Sequence, residues 1–362
     1  MSSAPAGSEV VVVGAGIAGI TCARVLAAND IPVRVVDQGK RVGGRLAVQT
    51  QLGHPIDVGA SYLTVSDPEL AKVVADWVDR GIARAWTDAF HVATPRSPRH
   101  GQTGGPGRTG GLGELKRGPM RYAGTAGLRG LVEDLAQQAQ LQVDSGIVVQ
   151  HVEPGAPEQG GPLIDGQPAA AVVLAMPDPQ AARLLPAGSV EVALVGASHW
   201  EPRLVLSARW ATRSWGVGPD LAFDGAFVHD SDVLTWIADD GRRRGDDAPV
   251  LVAHSTASVA AAHLDDPEAA APQMLAELIS VLDCDPEPEW TATRRWSLAQ
   301  PMRSHSEPFY LSAGGIGFCG DGWGDKPRVE QAFCSGAALG RAIVERLSQP
   351  RRRGTEENER TT

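Results

Sequence analysis

With 362 residues, 43% of them apolar, the chain is long enough to bury a sizeable core and to divide into two domains. A net charge of -10 argues against a nucleic-acid or anionic-membrane surface, and no run approaches the roughly 18 apolar residues that span a bilayer. Met1 to Ser8 lacks the basic and apolar regions of a secretory signal, and Cys22, Cys284, Cys319 and Cys334 have no metal-binding spacing, so a cytoplasmic protein with reduced thiols and no metal is expected.

In chain order, Glu9 to Val13 is a β-branched run that predicts a buried parallel strand. Gly14 to Gly19 turns the chain, Ile17 to Ala28 reads as a helix and Pro32 to Val36 as a second strand, which makes a β-α-β unit. Asp67-Pro68-Glu69 has the capping pattern of a helix start, and Asp266-Pro267-Glu268 repeats it ahead of an apolar face made by Met274, Leu275, Leu278, Ile279 and Leu282. Pro95 to Pro119 is rich in glycine and basic residues and reads as a mobile surface loop. Ala171 to Ala175 is a strand. From Arg203 to Trp296, alternating runs such as Leu204 to Ala208 and Leu251 to His254 predict an antiparallel sheet lying over a ligand. Gly317 to Cys319 is a last strand, about Arg328 to Leu347 a last helix, and the charged tail 350–362 reads as disordered.

Three motifs carry chemistry. In Gly14-Ala15-Gly16-Ile17-Ala18-Gly19 the glycines permit a tight turn, close approach to a pyrophosphate, and close packing of helix on strand. Asp37 follows 18 residues after Gly19 at the end of the second strand, where a carboxylate accepts from a ribose hydroxyl. NAD and FAD share this unit, so a second signal must choose between them. Arg41-Val42-Gly43-Gly44-Arg45 supplies it, with bare backbone at the glycines and a guanidinium for phosphates; the segment resembles the amine-oxidase-like flavoproteins. The third motif, Gly320-Asp321-Gly322-Trp323, precedes the last helix, whose Val329 and Glu330 amides would favour an anion at its N-terminus.

The chain resembles the renalase family from Val10 to about Leu347. The segments that carry the likeness are Asp57-Val58-Gly59-Ala60-Ser61-Tyr62-Leu63-Thr64, Tyr122 to Gly127, Met176-Pro177-Asp178-Pro179, Leu251 to Thr256, Arg295-Trp296 and Gly320 to Trp323. The resemblance implies a mixed α/β, amine-oxidase-like architecture: a Rossmann-type FAD-binding domain from 8–65, 121–198 and 309–348, interleaved with an antiparallel-sheet substrate domain from 66–120 and 199–308. It implies non-covalent FAD held by Gly14, Gly16, Ile17, Ala18, Gly19, Asp37, Gln38, Gly44, Arg45, Gly59, Ala60, Ser61, Tyr62, Ile147, Gly320, Asp321, Val329 and Glu330. The implied reaction is hydride transfer from 2- or 6-dihydro-NAD(P) to flavin N5, then electron transfer to O2 to give hydrogen peroxide. Such a transfer needs two rings held face to face and no general base.

Tyr62, Trp236, His254 and Trp296 are the candidate pocket for a flat pyridine ring, although each tryptophan reads equally as core and His254 as a core histidine. Arginines of the 96–121 segment read as solvated, with steering of phosphates as the sharper alternative. An amine oxidase is the second reading; many of those place a lysine near N5, whereas the four lysines here, Lys40, Lys72, Lys116 and Lys326, leave 117–325 without one. A non-enzymatic flavin-binding redox partner is the third.

Overall fold

Four consecutive valines, Val10–Val13, suit only a strand covered on both faces, and that is where the chain puts them. The computed structural model describes residues 7–98, 108–155, 161–216 and 222–349. Val10–Val13 lies inside a six-stranded sheet of order Tyr310–Leu311, Ile316–Phe318, Ala171–Leu174, Val10–Val13, Val33–Asp37, Val143–Ser145. All neighbours are parallel except the outermost pair, Tyr310–Leu311 with Ile316–Phe318. Strand order reverses at Val10–Val13, so the crevice beyond its carboxyl end is where an open α/β sheet takes a ligand. Gly14 to Gly19 lies there.

One face of this sheet packs on the helices Ile17–Ala27, Leu128–Gln138 and Val329–Ser348, with Trp77 of the helix Pro68–Asp79 in the same core. Asp67 caps Pro68–Asp79 by accepting from the Glu69 and Leu70 amides, both at 2.9 Å. The other face covers Val11, Val13, Leu174, Phe318 and Trp323.

A second, eight-stranded sheet runs Trp290–Pro301, Trp200–Arg209, Val250–Ser255, Leu234–Asp239, Gly225–Val228, Ala83–Pro98, Arg108–Gly124, Leu63–Thr64. Its ladders are antiparallel, as the alternating runs predict, except where Gly225–Val228 pairs parallel with Ala83–Pro98. The helix Ala271–Leu282 turns Met274, Leu278 and Leu282 into its core. Among the described residues no helix is long and apolar enough to cross a membrane.

Two expectations are corrected. Pro95 to Pro119 is not a loop where it is described: Ala83–Pro98 and Arg108–Gly124 form a long hairpin, and 99–107 lie outside the described residues. The glycines are accommodated by breaks in register, among them those at His91/Ala93 and Thr94/Ser97, which a bulged strand tolerates. Nor does Asp266 cap a helix. A 3-10 turn, Pro267–Ala270, comes first, and Glu268 instead accepts from the Thr293 amide at 3.0 Å and hydroxyl at 3.2 Å, tying the turn to the neighbouring strand. The tail 350–362 also lies outside the described residues.

The helices Ile17–Ala27 and Val329–Ser348 touch backbone to backbone. A Cβ on Gly336 would stand 2.0 Å from the Ala18 carbonyl oxygen, so any side chain there forces the pair apart. Glycine to alanine inside a helix is ordinarily stabilising by up to about 1 kcal/mol, but overpacking costs about 1–3 kcal/mol. Overpacking wins here: Gly336→Ala is expected to lower unfolding free energy by about 1–2 kcal/mol in urea, and a neutral or stabilising result would contradict the close approach.

Candidate functional site

The turn after Val10–Val13 is built on glycine for steric reasons. A Cβ at Gly19 would lie 1.9 Å from the Gly14 carbonyl oxygen, whereas one at Gly16 would meet nothing within 4 Å. The missing side chain at Gly19 lets the turn close; Gly16 leaves bare backbone facing open space. Gly16 also begins the helix Ile17–Ala27 with no side-chain cap, so the amides of Ile17 and Ala18 start the helix beside that open face. Asp37 closes the turn from behind, accepting from Ala15 N and Gly39 N, each at 2.6 Å. Its oxygens hold the loop in place and keep further lone pairs for a hydroxyl. Gln38 is exposed beside it, and Ile147, 42% exposed, is tied to the same strand end by its amide, 3.0 Å from the Asp37 carbonyl.

The second motif leans on the first. Gly43 N donates to Ala15 O at 2.9 Å, and the Gly44 backbone lies against Gly16, with an added Cβ only 3.2 Å from the Gly16 Cα. Arg45 reaches across to the third motif in a bidentate pair with Asp321, at 2.6 and 2.9 Å, and donates to Ala299 O at 3.1 Å. Gly320 N donates to Ser335 Oγ at 3.0 Å, inside the helix Val329–Ser348. That helix also starts without a side-chain cap, at Arg328. The Glu330 carboxylate turns away to accept from Ser66 N, Ser66 Oγ and, at 2.7 Å, Asp67 N. Chain segments 276 residues apart thus meet at one place.

Asp57 to Tyr62 runs alongside. Gly59 passes so close to Arg45 that a Cβ would stand 1.9 Å from its carbonyl oxygen, and Ala60 N donates to that oxygen at 3.0 Å. The Ser61 hydroxyl is buried without a hydrogen-bond partner among the described residues, while its carbonyl accepts from Arg243 Nη1 at 3.0 Å. Tyr62 opens an aromatic cage: its ring lies 5.4 Å from Phe90, 5.8 Å from Trp236 and 6.3 Å from Trp86, and Phe90 and Trp236 meet edge to face at 4.6 Å. Phe227 packs on Trp236 at 4.8 Å.

Of the four pocket candidates, the fold brings Tyr62 and Trp236 together and sets His254 directly across the ladder from Trp236. Trp296 goes elsewhere: its indole donates to Val58 O at 2.6 Å and packs with Val58, Val205 and Val252. Trp86, Phe90, Phe227 and Arg121 are cage residues that motif reading misses. Trp86 and Phe90 share an even spacing in a run now seen to be a strand, which was the one available signal.

Beneath the cage is a buried charge cluster. Asp240 accepts from Arg243 and, at 2.6 Å, from Arg244, and Asp57 lies 3.8–3.9 Å from both while accepting from Leu128 N at 2.8 Å. Burial raises the Asp57 pKa against the pull of the arginines. Burial would raise Asp240 too, but Arg243 and Arg244 together hold it below the usual carboxylate range. His254 Nε2 is buried without a partner among the described residues, and burial, helped by Arg243 and Arg203, lowers its pKa to about 3. The imidazole is neutral across the physiological range.

Residues 12–77 match the NAD(P)-binding Rossmann-like domain. Over 95% of this chain and 100% of the other, the structure is similar to that of cyclohexylamine oxidase from Brevibacterium oxydans IH-35A, with a TM-score of 0.73 and 13% identity. The chain has the amine oxidase fold. Putrescine oxidase with putrescine bound is similar at a TM-score of 0.69 and 15% identity, over 93% of this chain and 99% of that one. Sequence likeness to these relatives extends over short stretches: 37% identity over 81 residues to coproporphyrinogen III oxidase of Mycobacterium leprae (strain TN), and 44% over 55 residues to polyamine oxidase 4 of Oryza sativa subsp. japonica. These stretches cover 22% and 15% of this chain but only 18% and 11% of those proteins, so the chain spans less than a fifth of the length of these two relatives.

The two-domain fold implies FAD, and the residues present fit it. Gly16 offers open backbone, two helices begin uncapped, and Ser61 carries a buried hydroxyl with no partner. Burial pushes the Cys319 thiol up to about 12 and Cys334 to about 11, so neither supplies a thiolate at neutral pH, in keeping with a non-covalent flavin.

The depressed His254 pKa has a sign that can be measured. Folded, the ring takes a proton only near pH 3; unfolded, near 6.5. Above pH 6.5 it contributes nothing to the pH dependence, and between 6.5 and 3 it removes about 1.4 kcal/mol of stability per pH unit, because the unfolded chain binds the extra proton. His254→Gln is expected to flatten that part of the stability profile, measured by urea unfolding at pH 7, 6 and 5; a profile as steep as wild type would contradict it.

Proposed function

We propose that this chain is an oxidase that holds FAD non-covalently and takes hydride from a dihydronicotinamide, the 2- or 6-dihydro isomers of NAD(P)H, as the renalase resemblance implies. The observation that carries the cofactor is the meeting of Gly16, Gly44, the Arg45–Asp321 pair and two uncapped helix starts at one crevice. On this reading 8–65, 121–198 and 309–348 hold the flavin, and 66–120 and 199–308 build the chamber over it. Gly14 to Gly19 and Arg45 face the pyrophosphate, Asp37 with Gln38 and Ile147 the adenosine end, and Gly59 to Tyr62, Gly320, Asp321, Val329 and Glu330 the flavin end.

Bound FAD supplies the two-electron acceptor, so that dihydronicotinamide, O2 and a proton give NAD(P)+ and hydrogen peroxide. The protein's own work is orientation and exclusion of water. Tyr62 and Trp236 offer aromatic faces to a flat ring, and His254, held neutral, can donate to or accept from a carboxamide without adding charge. No base is needed, since the donor carbon gives up hydride and no heteroatom loses a proton.

A second reading, oxidation of an amine, is favoured by the likeness of the fold to cyclohexylamine and putrescine oxidases. All four lysines are exposed, which speaks against the lysine that many amine oxidases place by the flavin.

Purified protein is expected to be yellow. Anaerobic mixing with 2- or 6-dihydro-NAD should bleach the band near about 450 nm, while 4-dihydro-NAD, cyclohexylamine and putrescine leave it unchanged. Bleaching by the amines alone would replace the first reading with the second, and protein that never takes up FAD would remove both. Arg45→Gln is expected to weaken FAD retention by about tenfold or more, read by flavin loss on gel filtration.

A further inference from the structure

Most arginines near the cage have carboxylate partners. On the hairpin, Arg96 pairs with Asp283 at 3.1 Å and Arg117 with Asp88 at 2.5 Å; below it, Arg243 and Arg244 share Asp240 and Asp57. Arg121 does not. It is 8% exposed, its Nε and Nη1 are buried without a hydrogen-bond partner, and among the described residues no carboxylate forms an ion pair with it. Its guanidinium lies 4.1 Å from the Phe90 ring centroid and 5.9 Å from that of Tyr62, within the aromatic cage. The neighbouring polar group is the Tyr62 phenol, whose pKa burial raises although the charge of Arg121 and a hydrogen bond from it draw it down, so it stays neutral and balances no charge. The indoles of Trp86 and Trp236 likewise have buried N–H groups without acceptors among the described residues. The cage therefore offers a positive charge and several buried donors, with no carboxylate among the described residues to balance the charge.

We propose that Arg121 anchors an anionic group, a carboxylate or a phosphate, on the planar substrate that enters this cage. This deepens the reading above, on which it rests, by naming what besides a flat ring the substrate must carry. A guanidinium with Nε and Nη1 unpartnered can donate charge-assisted hydrogen bonds to the oxygens of a carboxylate or phosphate, and the Phe90 face holds its plane in position. A substrate ammonium in the same low-dielectric space would meet a like charge. The site is thus built against simple amines and for an anion, whichever ring delivers the hydride.

The test uses the FAD-loaded protein and four probes of similar shape: benzoate, phenyl phosphate, benzamide and benzylamine. Binding is read from perturbation of the flavin spectrum and separately from thermal shift. Benzoate or phenyl phosphate is expected to bind at least about tenfold more tightly than benzamide and benzylamine, and the stronger of the two names the source of the anion. Arg121→Gln should abolish this preference at unchanged flavin content, and Arg121→Lys, which keeps the charge, should retain part of it. A yellow wild type indifferent to probe charge, or an Arg121→Gln protein that keeps the anion preference, would overturn the assignment and leave the proposed oxidase standing. Protein without flavin would defeat the oxidase reading, and the thermal-shift arm still decides the anion preference. Should Arg121→Gln fail to fold, the four probes on wild type and on Arg121→Lys decide it alone.

Discussion

Close approach of backbone to backbone is the constraint on which this molecule depends. The turn at Gly14 to Gly19 can close, and the helices Ile17–Ala27 and Val329–Ser348 can cross, only because Gly19 and Gly336 have no side chain to hold them apart. From that contact the rest of the crevice follows. The last helix is brought over the first, its uncapped start lies near the glycine turn, and Asp321 comes within reach of Arg45. A ligand that spans such a crevice is bound mostly by main chain, with two helix termini favouring negative charge.

Charge is handled in two different ways around the cage. Arg243 and Arg244 are buried with Asp240 and Asp57, and the set as a whole is balanced. Breaking such a pair costs about 3–5 kcal/mol, which is why it reads as architecture that fixes Ser61 through its carbonyl. Arg121 is buried with aromatic faces instead of a counter-ion. Cation–π contact returns about 0.5–2 kcal/mol, less than the several kcal/mol that burying an ion costs, so the fold carries Arg121 at a net expense. Unbalanced charge of this kind gathers where ligands bind.

Gly14 to Gly19, Asp37, Arg45 and Asp321 were legible because each motif is local: its spacing alone specifies a turn, a strand end or a helix start. The cage was legible only by half. Tyr62 and Trp236 meet, but Trp296 is drawn off by the Val58 carbonyl, and Phe90, Trp86 and Phe227 come from strands whose register no local pattern sets. Arg121 was hidden for the opposite reason. It stands among glycines and other basic residues, a composition that reads as solvent-facing, and becomes a buried cation only because the segment folds as a bulged hairpin.

Sequence alone determined the dinucleotide-binding unit, since valine runs, glycine spacing and a terminal acid act over a few residues and tolerate few other conformations. Tertiary structure decided which side chains face the chamber, because that depends on the register and bulges of strands far apart in the chain. It also decided which arginines are neutralised, because a counter-ion is a matter of distance in space. The chain's net charge of -10 therefore said nothing about Arg121, a buried cation that has no carboxylate partner among the described residues.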